Sequence, residues 1–180
     1  MNTTQLRALQ ALILATPACA PHVHTNDMPK ISGPEAYAKD SAVAAIVSAG
    51  RVRLQTRMIS ARGVRESLTI VDGATFLKVL RELSEEVTVP AWLSTVLTAL
   101  TVPVGAHWAY FDTLQCAWGW LQGDGLDLAA TKTRSMLDLI VAGHPELVSA
   151  SVTLKALAEV SDPVSVADVS LAIRGPWGDE

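Results

Sequence analysis

A chain of 180 residues, 49% of them hydrophobic, is of single-domain size and can bury a sizeable core without disulfide or metal staples. Charged residues make up only 18% and the formal net charge is −4, so there is no overall attraction to a phosphate backbone and nucleic acid is disfavoured as a partner. No stretch reaches the ~18 apolar residues that a membrane-crossing helix needs, which argues against a membrane partner. One domain over residues 1–180 is the default, with two small helical lobes as the alternative.

In chain order, Thr3 or Thr4 can cap a first helix carrying Leu6, Leu9 and Ile13 on one stripe, and Pro17 stops it. The same stretch imitates a signal peptide, with Arg7 before an apolar run and small residues at Ala18-Cys19-Ala20. Gln10 interrupts that run and Pro21 would follow the cut, so the segment is expected to remain in the chain as a helix. Residues 16–34 hold four prolines and two histidines and read as an irregular connection. With only Val23, Met28 and Ile31 as apolar content, it is expected to be an arm ordered against a neighbouring subunit.

Ser32 and Pro34-Glu35 open a second helix through Ala36, Val43, Ala44 and Val47, and Gly50 supplies a left-handed residue after its end. Residues 51–59 change to a period of two, with Val52, Leu54 and Thr56 alternating with Arg51, Arg53, Gln55 and Arg57. That pattern predicts a short extended arm or hairpin. Further helices are predicted at residues 63–68, from Asp72-Gly73 through Leu83, and from Thr88 and Pro90 to a stop before Pro103. The remaining helices are placed at 105–122, 129–142, 151–159 and from Ser165 to Gly175, where Ser165 and Asp168 resemble a capping box. The fold class is mainly α, with seven or so helices.

There is no nucleophile elbow, protease cysteine signature, phosphate loop or dinucleotide fingerprint, so the chain is expected not to be an enzyme and to use no cofactor. Gly119, Gly123 and Gly125 have the wrong spacing for a phosphate cradle and are better explained as ending a helix. His22 and His24 lack a third ligand at zinc-like spacing, so no metal is expected. His107 with Asp112, and His144 with Glu146, each put an imidazole near a carboxylate, the minimum for acid–base work. A metal at His22 and His24 or around His144 would revive a small hydrolase as a third functional reading. Cys19 and Cys116 match no metal or redox spacing and are expected to be small buried hydrophobes.

Two features point to binding instead. Arg51, Arg53, Arg57, Arg62 and Arg65 fall within fifteen residues that contain no acid, and removing those charges leaves −9 for the rest of the chain. A solvated strand edge that blocks unwanted pairing accounts for them, as does docking on an acidic protein surface, including a second copy of this chain. Arg51, Arg53 and Arg57 are accordingly interface candidates. Trp108, Trp118 and Trp120 share one predicted helix, and Trp108 and Trp118 lie about 280° apart around it. At least one ring should therefore escape the chain's own core. Because Trp is enriched at interface hot spots, all three are interface candidates, with packing into a second lobe as the alternative.

Two runs resemble elements of small uncharacterised proteins of tailed bacteriophages: DSAVAAIVSAGRVRL at residues 40–54 and LKALAEVSDPVSVADV at 154–169. Such proteins accompany virion structural genes, so the resemblance implies a tail, connector or baseplate component, made in the host cytoplasm and located in the virion. Its partners would be other virion proteins and copies of itself. The alternative is an assembly chaperone or soluble regulator that binds one protein. The resemblance carries over no functional residues, and the Trp-rich helix and the Pro/His connection depart from it.

Overall fold

The structure is a computed structural model, described here over residues 1–23 and 33–175. These residues are mainly helical. In chain order the elements are α1 (Thr3–Ala15), α2 (Gly33–Ser48), β1 (Val52–Leu54), β2 (Met58–Ile59), α3 (Ala61–Ser67) and α4 (Ile70–Glu85). They continue with α5 (Ala91–Ala99), α6 (His107–Gln122), β3 (Leu126–Asp127), α7 (Thr131–Gly143), α8 (Val148–Ala156), β4 (Glu159–Ser161) and α9 (Val166–Arg174). Short 3-10 turns lie at Pro17–Cys19, Val104–Ala106 and Pro145–Leu147.

The chain divides into two units, one made of residues 1–53 with 161–180 and the other of residues 54–160. In the first, α1 contributes Leu6, Leu9 and Ile13, α2 contributes Val43, Ala44 and Val47, and α9 contributes Val169, Ala172 and Ile173 to one buried cluster. The repeat of three and four residues in each helix puts those side chains on a single stripe. Cys19, fully buried, joins the same cluster with Val23 beside it, so this part of the expected arm packs on its own unit. Residues 24–32 of the expected arm, His24 and Ser32 among them, lie outside the described residues, and Gly33 and Pro34 open α2.

The second unit is built around α4 and α6. Phe76, Leu77, Leu80 and Leu83 meet Phe111, Leu114, Ala117 and Leu121, and α7 and α8 close the cluster with Met136, Leu137, Ile140, Ala150 and Leu154. Each such leucine or phenylalanine stabilises the fold by roughly 1.5–3 kcal/mol relative to exposure. Where α5 meets α7, a Cβ placed on Gly143 would stand 2.1 Å from the Trp92 ring. Gly143 is the last residue of α7 and leaves room for the indole.

Local chemistry moves several predicted boundaries. Asn2, not Thr3 or Thr4, caps α1: its side chain accepts from the Gln5 N–H at 2.9 Å and the Gln5 side chain accepts from the Asn2 N–H at 2.9 Å. Helix α4 begins at Ile70 rather than near Asp72, because the Thr69 hydroxyl accepts from the Asp72 N–H at 3.1 Å. Helix α8 is shifted toward the N-terminus, and residues 159–161 form a strand. The αL residue after α2 is Gly50, with φ +72°.

The extended segment at 51–59 is present as β1 and β2. They do not pair with each other: β1 pairs with β4, and β2 runs antiparallel to β3 with Met58 opposite Asp127 and Ile59 opposite Leu126. Val52, Arg53 and Leu54 are all exposed, so the alternation in sequence does not become a buried and a solvated face in β1.

Candidate functional site

Helix α6 carries the exposed aromatic surface of the second unit. Its buried stripe is His107, Phe111, Leu114, Ala117 and Leu121. Trp118, half-buried, packs against the core around that stripe. Trp108 and Trp120 stay 52% and 44% exposed, and Tyr110 is 41% exposed. Trp108 stands edge-on to Phe111 with the ring centroids 5.3 Å apart, which fixes its base while leaving its outer face in water. Leu100 and Val104, just before the helix, are exposed as well.

A groove of about 350 Å³ runs between α6 and α7. Ala109, Tyr110 and Thr113 line one wall, and Ser135, Met136 and Leu139 line the other. At helical spacing Ala109, Thr113 and Trp120 fall on one stripe of α6, with Trp120 beyond the residues that line the groove. The lining is largely apolar, with hydroxyls of Thr113, Thr131 and Ser135 and the ammonium of Lys132, and it includes no carboxylate, imidazole or thiol among the described residues. Such a surface offers contact area and hydrogen-bond donors.

The arginine candidates divide between the units. In the first, Arg51 is paired internally with Asp162 at 2.9 Å, while Arg53 is exposed. In the second, the Arg57 N–H donates to Asp127 Oδ1 at 3.0 Å and its side chain is exposed. Neither Arg53 nor Arg57 makes an ion pair among the described residues, so these two remain available to a partner.

The expected acid–base pairs fare differently. His107 is a buried cross-link remote from Asp112: its Nε2 faces the Val102 carbonyl at 3.1 Å and its Nδ1 faces the Ser94 hydroxyl at 3.0 Å. A carbonyl only accepts, so Nε2 carries the proton and Nδ1 accepts from Ser94. Helical spacing separates His107 from Asp112 by about 140°. His144 does reach Glu146, with Nδ1 to Oε1 at 3.2 Å, and sits edge-on to Trp92 at 5.1 Å. The Glu146 carboxyl lies below its ordinary range, held down first by its own backbone N–H and then by His144.

Cys116 is exposed, contrary to expectation, because it falls on the solvent side of α6; Cys19 is buried, which pushes its thiol up. Gly123 and Gly125 do end α6: the Gly125 N–H donates to the Trp120 carbonyl at 2.7 Å, and Gly125 has φ +94°. Among the described residues no group of three or more His, Cys, Asp or Glu is placed to hold a metal ion, and no helix is long and apolar enough to cross a membrane.

Sequence reasoning missed Asp40. It is 3% exposed and held by Arg174 between α2 and α9. The signal was present, since Asp40 falls on the same stripe as Val43, Ala44 and Val47. No protein-family model, curated protein or solved structure matches this chain.

Proposed function

We propose that this chain is a non-enzymatic protein-binding component of a tailed-bacteriophage particle, acting in a tail, connector or baseplate through contacts with other virion proteins and with copies of itself. The observation that carries the binding role is α6, where Tyr110 lines an apolar groove and Trp108 and Trp120 stand half in water on the same helix. Exposed aromatics at a concave apolar surface have the composition of an interface hot spot.

The virion assignment rests on the resemblance of residues 40–54 and 154–169. In support of treating them as one module, the two runs meet inside the first unit. Arg51 pairs with Asp162, and the Val164 N–H donates to Ser48 Oγ at 2.8 Å.

Recovery from purified particles tests the location: a fixed copy number supports a virion component. Absence from particles, with a soluble complex in the infected host, replaces it with the assembly-chaperone reading. The surface is tested separately by Trp108→Ala with Trp120→Ala. Both side chains are half in water, so the variant should fold normally and lose its partner. A variant that still enters the complex with unchanged affinity would remove α6 from the interface.

A further inference from the structure

A second surface of residues 54–160 is built from charge rather than from apolar contact. The short helix α3 comes close to α4 at Gly73, where a Cβ would stand 3.6 Å from the Arg65 Cα. This approach sets Arg65 beside the α4 stripe formed by Ala74, Leu77, Lys78 and Arg81. With Trp118 of α6 they line a cleft of about 290 Å³. Its inner part is Leu77 and the half-buried indole, and its rim is three cations.

Those cations are incompletely neutralised. Lys78 lies 3.7 Å from Glu82 and Arg81 lies 3.6 Å from Glu85, distances longer than a direct hydrogen bond, and all four side chains are more than half exposed. Arg65 makes no ion pair among the described residues. Water-exposed pairs of this kind are weakly held, so an incoming carboxylate can take either cation at small cost.

We infer that this cleft binds a short acidic segment of a partner protein, with carboxylates on Arg65, Lys78 and Arg81 and a neighbouring apolar side chain against Trp118 and Leu77. An extended polyphosphate fits the surroundings less well. Glu82 and Glu85 stand beside two of the cations, and the whole chain carries −4, so the attraction is local and suited to a few charges. The inference rests on the protein-binding reading and gives it a partner chemistry, at residues separate from the exposed aromatics of α6.

The test uses the full chain and a capped pentapeptide alternating glutamate with leucine, followed through the indole N–H resonance of Trp118, assigned by its loss in Trp118→Phe. The peptide should shift that resonance at low salt. Arg65→Glu should weaken binding about tenfold and Arg65→Lys should largely restore it. The shift should shrink in about 0.5 M salt. An unchanged amide spectrum for the exposed Arg65→Glu site separates lost binding from lost folding.

A glutamine counterpart that binds equally would reduce the cleft to apolar contact and overturn the inference. Stronger binding of oligothymidylate or inorganic phosphate would overturn it in favour of a phosphate ligand, and no response to any probe would overturn it outright. None of these outcomes alters the α6 test, so the two readings fail separately.

Discussion

Arg174 sets two guanidinium nitrogens on the two carboxylate oxygens of Asp40, a residue 134 positions earlier in the chain, and also reaches Ser170 Oγ at 2.5 Å. The fork geometry of the guanidinium matches the carboxylate, and it ties α9 to α2 beside the apolar cluster. Arg174→Met would take this guanidinium from a carboxylate buried beside that cluster. The expected loss is about 3–5 kcal/mol, measured by urea unfolding. Combining Arg174→Met with Asp40→Leu should recover most of it, since replacing both charges with apolar groups leaves neither one stranded.

Gly143→Ala places a methyl group against the Trp92 ring, where a Cβ has only 2.1 Å. The ring or the helix must shift, and overpacking of this kind costs about 1–3 kcal/mol. Ordinary helix propensity predicts the opposite sign, because alanine is the better helix former. A lower thermal midpoint for Gly143→Ala, partly relieved by Trp92→Leu, is the expected outcome.

His107, at the start of α6, is joined to Ser94 of α5 and to Val102 beyond it, across a connection in which Thr101 takes φ +59°. His107→Leu would leave the Val102 carbonyl and the Ser94 hydroxyl without this partner. A loss of about 1–3 kcal/mol follows from the unmet polar groups. Ser94→Ala removes a single hydrogen bond and should cost about 1 kcal/mol or less, so the two variants rank in that order by denaturant midpoint.

The Asp168 carboxyl lies below its ordinary range because the Ser165 hydroxyl donates to it at 2.7 Å, with the Met1 ammonium 3.3 Å away as a further cause. A carboxylate lowered in the folded state stabilises it fully above the unfolded-state value and loses that contribution as pH falls through the lowered value. The thermal midpoint of the native chain should therefore fall more steeply than that of Asp168→Asn once the pH drops below about 4. Parallel curves would show that this contact contributes no pH dependence.

The helices were legible because their apolar residues recur every three or four positions, as in Leu6, Leu9 and Ile13 or Phe76, Leu80 and Leu83. Their starts were less so. Thr3 and Asn2 are both good caps by composition, and only the reciprocal bonds with Gln5 decide between them. The short strands show the limit more sharply. Period two predicts extended backbone at 51–59, but pairing with β3 and β4 depends on residues about seventy and a hundred positions away, which no local pattern encodes. That at least one Trp ring of α6 escapes the core followed from helical geometry, but which rings do so, and the groove lined by Tyr110, needed the position of α7.

The unit containing α1, α2 and α9 draws on both ends of the sequence, with residues 54–160 lying between them in the chain. Its apolar cluster needs Val169, Ala172 and Ile173 of α9 to cover Leu9, Ile13 and Val43. During synthesis α1 and α2 emerge first and must wait for roughly a hundred further residues, about 5–20 s at ordinary elongation rates. Over that interval their apolar stripes lack the α9 surface that later covers them. The intervening stretch has its own apolar cluster and can form it without α9, so a chain ending before residue 161 and released from the ribosome should present a folded second unit and an N-terminal helix pair open to chaperones.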